Sequence, residues 1–152
     1  MIIRKAKKSD IDQIIQLINI EAQKGLMLSR NPWELTRFLR DFCVALDGQG
    51  EILGCSALSI YLDDLAEVRS LVVAPEARKQ GIGRKLVEFC LAEAKDLGVG
   101  RVFTLTYVPE FFQKIGFVLG DRASVQQKIY EDCIRCRKFY ACDEIFLIKD
   151  IK

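Results

Sequence analysis

The chain has 152 residues, 50% hydrophobic and 29% charged, with 23 basic and 21 acidic side chains for a net charge of +2. That size fits a single domain, expected over 1–152, with a core of its own, and the charge balance gives no ground for nucleic-acid or membrane binding. The sequence has no histidine, which excludes Ser-His-Asp and Cys-His mechanisms and leaves carboxylates, tyrosine, cysteine, lysine or water to move protons.

Ile2-Ile3-Arg4 reads as a short first strand. Ser9-x-x-Asp12 resembles a capping box, and Ile11, Ile14, Ile15 and Ile18 form the apolar stripe of a helix that ends before Gly25. Asn31-Pro32 with Glu34 starts a second helix, whose buried face is Leu35, Phe38, Leu39 and Phe42. Strands follow over Phe42 to Leu46, Ile52 to Tyr61 and Ala66 to Val73. They are joined by the turns Asp47-Gly48-Gln49-Gly50 and Asp63-Asp64, so they predict an antiparallel meander.

A helix from about Gly83 to Leu97 carries Leu86, Cys90, Ala94 and Leu97 on one face, and Gly98 ends it. Next come a strand over Arg101 to Thr106, a short helix over Glu110 to Ile115 ended by Gly116, a strand opening at Phe117, and a closing strand over Glu144 to Ile148. The order β-α-α-β-β-β-α-β-α-β has consecutive strands without helices, which argues against a doubly wound nucleotide fold. It predicts a mixed α/β (α+β) architecture: a central, mostly antiparallel sheet flanked by helices. A pairing across the C-terminal strand would build a homodimer.

No secretory h-region and no membrane-spanning apolar run is visible, so a cytoplasmic location is expected and the six cysteines are read as thiols. Cys133, Cys136 and Cys142 are one ligand short of a structural zinc site and lack a second Cys-x-x-Cys, so no metal is expected. Tyr130, Phe139, Tyr140 and Phe146 are read as core.

The densest chemistry lies in Leu71 to Arg84. A β-type run ends at Pro75, and a basic turn spaced by Gly81 and Gly83 leads into the helix. Glycines leave backbone amides unshielded, and a helix start adds unpaired amides and partial positive charge. Arg78, Lys79, Arg84 and Lys85 add positive charge around what reads as a phosphate site. A Walker loop would need Gly-Lys-Ser/Thr, which is absent, and a dinucleotide fingerprint would need glycine at Leu86.

Arg78-x-x-Gly81-x-Gly83 after Val72-Val73-Ala74-Pro75 resembles the acyl-CoA signature of the GNAT N-acetyltransferase superfamily. The meander before it and Phe112-x-x-x-Gly116-Phe117 after it fit the same pattern. Leu65 to Leu71, Leu105 to Phe112, Cys142-Asp143-Glu144 and Gly25 to Arg30 are similar to the short, single-domain N-acetylglutamate synthases. The resemblance implies the GNAT fold, with acetyl-CoA as cosubstrate and the α-amine of L-glutamate as acceptor, as in arginine biosynthesis. It also implies that backbone amides of Arg78, Lys79, Gln80, Gly81, Ile82 and Gly83 hold the coenzyme A pyrophosphate, with Arg84 adding charge. The strand containing Leu71, Val72 and Val73 would splay from its neighbour and pair with the pantetheine arm.

Acetyl transfer requires removal of an ammonium proton, polarisation of the thioester and protonation of the leaving thiolate. Glu67 is the expected base, and alternation places it on the sheet face of Leu71. Its bland alternative is a structural pair with Arg69. Many superfamily members carry a tyrosine four residues before the Gly-Phe pair. Phe112 stands there, so Tyr107, the nearest phenol, is the candidate acid. The resemblance places a substrate arginine at Arg30, and Arg69 is the second candidate for the acceptor's carboxylates. Acetylation of another small amine or a protein N-terminus, and a non-catalytic acetyl-CoA sensor, remain as alternatives.

Overall fold

A computed structural model describes residues 1–121 and 143–152. Tyr130, Cys133, Cys136, Phe139, Tyr140 and Cys142, for which the sequence suggests core or thiol roles, lie outside the described residues. Among the described residues seven strands form one sheet in the order β1-β2-β3-β4-β5-β7-β6. They are β1 (Ile2–Lys5), β2 (Phe42–Leu46), β3 (Ile52–Tyr61), β4 (Leu65–Val73), β5 (Arg101–Thr106), β6 (Val118–Leu119) and β7 (Ile145–Asp150). Every neighbouring pair is antiparallel except β4–β5. Parallel strands need a crossover, supplied here by the helix between them.

Helices α1 (Ile11–Gln23) and α2 (Pro32–Arg37) pack through Ile11, Ile14, Ile18 and Leu35 against Phe42, Val44 and Leu46. Helix α3 (Ile82–Asp96) packs through Leu86, Val87, Cys90 and Ala94 against Cys43, Ala45, Leu58 and Val68. The short α4 (Pro109–Gln113) joins that second core through Phe112. Alternation along β2 thus serves both cores, which is why every residue of that strand is buried. A third, smaller cluster holds Tyr61, Leu65, Phe103 and Phe146. Among the described residues no helix is long and apolar enough to cross a membrane.

Local chemistry explains the turns. Asp47 accepts the amides of Gln49 (2.8 Å) and Glu51 (2.9 Å), folding the β2–β3 hairpin. Asp63 and Asp64 take φ values of 63° and 59°, a region that aspartate tolerates better than most side chains. Asp64 also accepts the Gly100 amide at 2.6 Å, tying this turn to the start of β5.

Three local expectations differ from the structure. The first helix is entered through Lys7 and Asp10, not Ser9 and Asp12: Asp10 accepts the Lys7 amide at 2.7 Å and pairs with Arg4 at 2.7 Å. The second helix stops at Arg37, so Phe38 is exposed and Phe42 begins a strand, because pairing to β3 wins over helix continuation there. Leu97 caps α3 and faces solvent. Among the described residues the C-terminal strand β7 lies between β5 and β6.

Burial pushes the Asp10 carboxyl up, but hydrogen bonds from Arg4 and the Lys7 amide outweigh it and hold the group below its ordinary 3.8. A carboxyl depressed by folding stabilises above its unfolded value and loses that contribution as the pH falls through its folded value. Asp10→Asn should therefore cost about 1–2 kcal/mol at neutral pH, and the gap to wild type should close in strong acid. Urea denaturation at both pH values checks this.

Three described cysteines, Cys43, Cys55 and Cys90, are free and buried. Contact with Cys90 (3.9 Å between sulfurs) and burial push the Cys43 thiol well up, and burial pushes Cys55 up to about 12. Neither is a thiolate near neutral pH, so they act as packing groups.

Candidate active site

The site begins where two strands part. β4 and β5 pair only from Leu65–Arg101 to Glu67–Phe103, yet both strands continue. At the vertex the Thr104 hydroxyl donates to the Val68 carbonyl at 3.0 Å, so a side chain makes the last link. Beyond it, one edge of β4 faces an opening.

A bulge shapes that edge. Ala57 pairs with Arg69 and Cys55 with Val72, so three steps on β4 match two on β3. The extra residue is accommodated at Ser70, whose φ is 55°. The bulge reverses the alternation. Ahead of it, Ala66 and Val68 face α3; after it, Leu71 and Val73 do, while Val72 joins the α1 core. Glu67 and Leu71 therefore lie on opposite faces, contrary to the simple alternation expected from their spacing.

The backbone direction expected for Leu71 and Val73 does emerge. The Ala74 amide donates to Leu53 of β3 at 2.8 Å, so by alternation Val73, and Leu71 before it, direct their polar groups into the opening. Val72 directs its own toward β3.

The basic turn closes the far end. Lys79 (φ 64°) and Gly81 (φ 79°) are both left-handed, and Gly81 caps α3. Among the described residues no backbone acceptor takes the amides of Lys79, Gln80, Gly81, Ile82, Gly83 or Arg84. Such a row of amides at a helix start is an anion cradle. The guanidinium groups are directed differently from the sequence expectation. Arg78 folds back, donating to the Val73 carbonyl (3.0 Å) and to Glu21 (3.2 Å), and Arg84 pairs along the helix with Glu88 (2.8 Å).

Gly83 allows the first turn of α3 to meet α4, since a Cβ there would stand 3.2 Å from the Phe111 ring. Gly83→Ala should displace Phe111 and lower the melting temperature by roughly 2–4 °C; thermal denaturation of both proteins checks it. Phe112 is core, packed edge-to-face on Phe111 and Phe117.

On the other face of the sheet, Glu67 is only 2% exposed and accepts a hydrogen bond from the Tyr61 hydroxyl at 3.0 Å on Oε1. Arg69 follows on the same face, and its charge pulls down an Asp41 carboxyl that burial pushes up, leaving a net rise. Arg30, 7% exposed, sits just before α2, with a guanidinium nitrogen 3.6 Å from Glu34. Asn31 accepts the Glu34 amide at 2.8 Å and fixes this corner. Tyr107 lies just past β5, where it continues the alternation of Phe103 and Leu105, and donates to Asp143 at 2.8 Å.

Sequence reading missed Tyr61 and Asp41. The signal for Tyr61 was the hairpin register, which sets Tyr61 opposite Leu65 and Ser59 opposite Glu67 and so brings the phenol to the carboxylate on one face. Among the described residues no three His, Cys, Asp or Glu side chains gather as a metal site.

A profile of the acetyltransferase (GNAT) domain matches residues 39–119. The chain belongs to the GNAT acetyltransferase family. Among its relatives, an uncharacterized N-acetyltransferase of Chlorobaculum tepidum is 40% identical over 149 residues, covering 98% of this chain and 96% of that one. An amino-acid acetyltransferase of Mycobacterium tuberculosis is 35% identical, covering 88% of this chain and 78% of that one. The N-acetylglutamate synthase of Neisseria gonorrhoeae, solved with coenzyme A and N-acetyl-glutamate, superposes with a TM-score of 0.88 at 25% identity. That comparison covers 99% of this chain and 35% of the other. This GNAT enzyme is an acyltransferase whose acyl donor is acetyl-CoA.

Proposed function

We propose that this GNAT enzyme acetylates the α-amine of L-glutamate, forming N-acetylglutamate for arginine biosynthesis in the cytoplasm. One observation carries the reading: Glu67 is buried where β4 and β5 part, on the sheet face that also carries Arg69 and is covered by α1 and α2, and Arg30 lies buried just before α2. A base at the vertex and two fixed cations suit an amine that bears two carboxylates. The amino-acid acetyltransferase of M. tuberculosis and the N. gonorrhoeae complex support the same acceptor class.

In this reading the amides of residues 78–83, with Arg84 nearby, hold the pyrophosphate, and the Leu71 and Val73 backbone pairs with the pantetheine arm. Glu67 takes a proton from the α-ammonium. The amine lone pair forms the N–C bond, the cationic nitrogen of the tetrahedral intermediate loses its second proton to water, the C–S pair leaves as the thiolate, and Glu67 returns its own proton to solvent. Tyr107 gives that thiolate its proton and recovers one from solvent. Arg30 and Arg69 hold the two acceptor carboxylates.

Coenzyme A release measured with each of the twenty amino acids tests the assignment. Glutamate should give the highest kcat/KM. Acetyl-CoA binding without turnover on any amino acid would rule the reading out.

A further inference from the structure

We propose that Tyr61 is a positioning residue for the reaction, holding the Glu67 carboxylate in the orientation from which it takes the amine's proton. The proposal rests on the reading of Glu67 as the base.

A buried carboxylate on a strand can rotate about its own side-chain bonds, and a base must be held within a fraction of an ångström of its working position. The Tyr61 phenol donates to Oε1 of Glu67 at 3.0 Å, with both residues buried. The phenol itself is clamped. Its ring packs 5.9 Å from Phe103, which stacks on Phe146 at 5.4 Å, and Leu65 completes the cluster. Phe103 is also the strand partner of Glu67, at the final rung before the strands separate.

One small apolar cluster thus fixes both the last rung of the sheet and the donor that orients the carboxylate. A ring needed only for packing could end in hydrogen. Here its one polar atom is directed at the group that must move a proton.

Tyr61→Phe keeps the ring and removes only the hydroxyl. It should lower kcat by roughly tenfold to a hundredfold while both KM values stay within about twofold. In a Glu67→Gln background the same change should alter kcat by less than about twofold, because the orienting bond then acts on a side chain that cannot accept the proton.

Wild-type kcat in Tyr61→Phe beside a crippled Glu67→Gln would overturn the role of Tyr61 and leave the base intact. Additive losses in the double variant would also overturn it. So would a Tyr61→Phe protein that loses acetyl-CoA binding and thermal stability together, since the hydroxyl would then serve the fold. A Glu67→Gln enzyme at full kcat would instead remove the base, and this proposal with it.

Discussion

Glu67→Gln should lower kcat by about 10²–10³, with the KM for acetyl-CoA within twofold of wild type. The substitution preserves shape and an acceptor for the Tyr61 hydroxyl, which sits 3.0 Å from Oε1, so the fold should tolerate it. Glutamine cannot accept the ammonium proton. Activity should partly return as the pH rises, because solvent then deprotonates the amine unaided. The KM expectation follows from the bulge at Ser70: Glu67 stands on the face opposite Leu71 and Val73, whose backbone we propose pairs with the donor. Unchanged kcat across the pH range would make Glu67 a structural carboxylate.

Arg30→Ala should raise the KM for glutamate by roughly 10- to 100-fold and leave the KM for acetyl-CoA alone. A guanidinium that is 7% exposed and 3.6 Å from Glu34 keeps its charge in a fixed place, which suits it to grip a carboxylate in two-point fashion. Arg30→Lys should recover little, since an ammonium cannot offer the planar fork. Initial-rate kinetics with each substrate varied separates the cases. An equal rise in both KM values would indicate a misplaced α2.

Much of the frame is legible in the sequence because it is written in local chemistry. The strands from Phe42 to Leu46, Ile52 to Tyr61 and Arg101 to Thr106 match their apolar runs end for end, bounded by aspartate and glycine turns. The Gly81–Gly83 turn is legible for the same reason, since a left-handed cap demands a residue like glycine. The bulge is not. Ser70 has no local mark for a φ of 55°, and that one inserted residue reverses the face of every side chain after it.

Side-chain direction was also hidden. Arg78 reads as a phosphate cation, yet tertiary packing brings Glu21 and the Val73 carbonyl within reach and turns the guanidinium back. Tyr61 was silent because its importance arises only once the hairpin register sets it beside Glu67.

The most direct test is a crystal structure of the enzyme with coenzyme A and L-glutamate. The account predicts pyrophosphate on the amides of residues 78–83, both glutamate carboxylates on Arg30 and Arg69, and the α-amine within one hydrogen bond or one water of Glu67. Glutamate bound away from these arginines, or an amine with no path to Glu67, would contradict it.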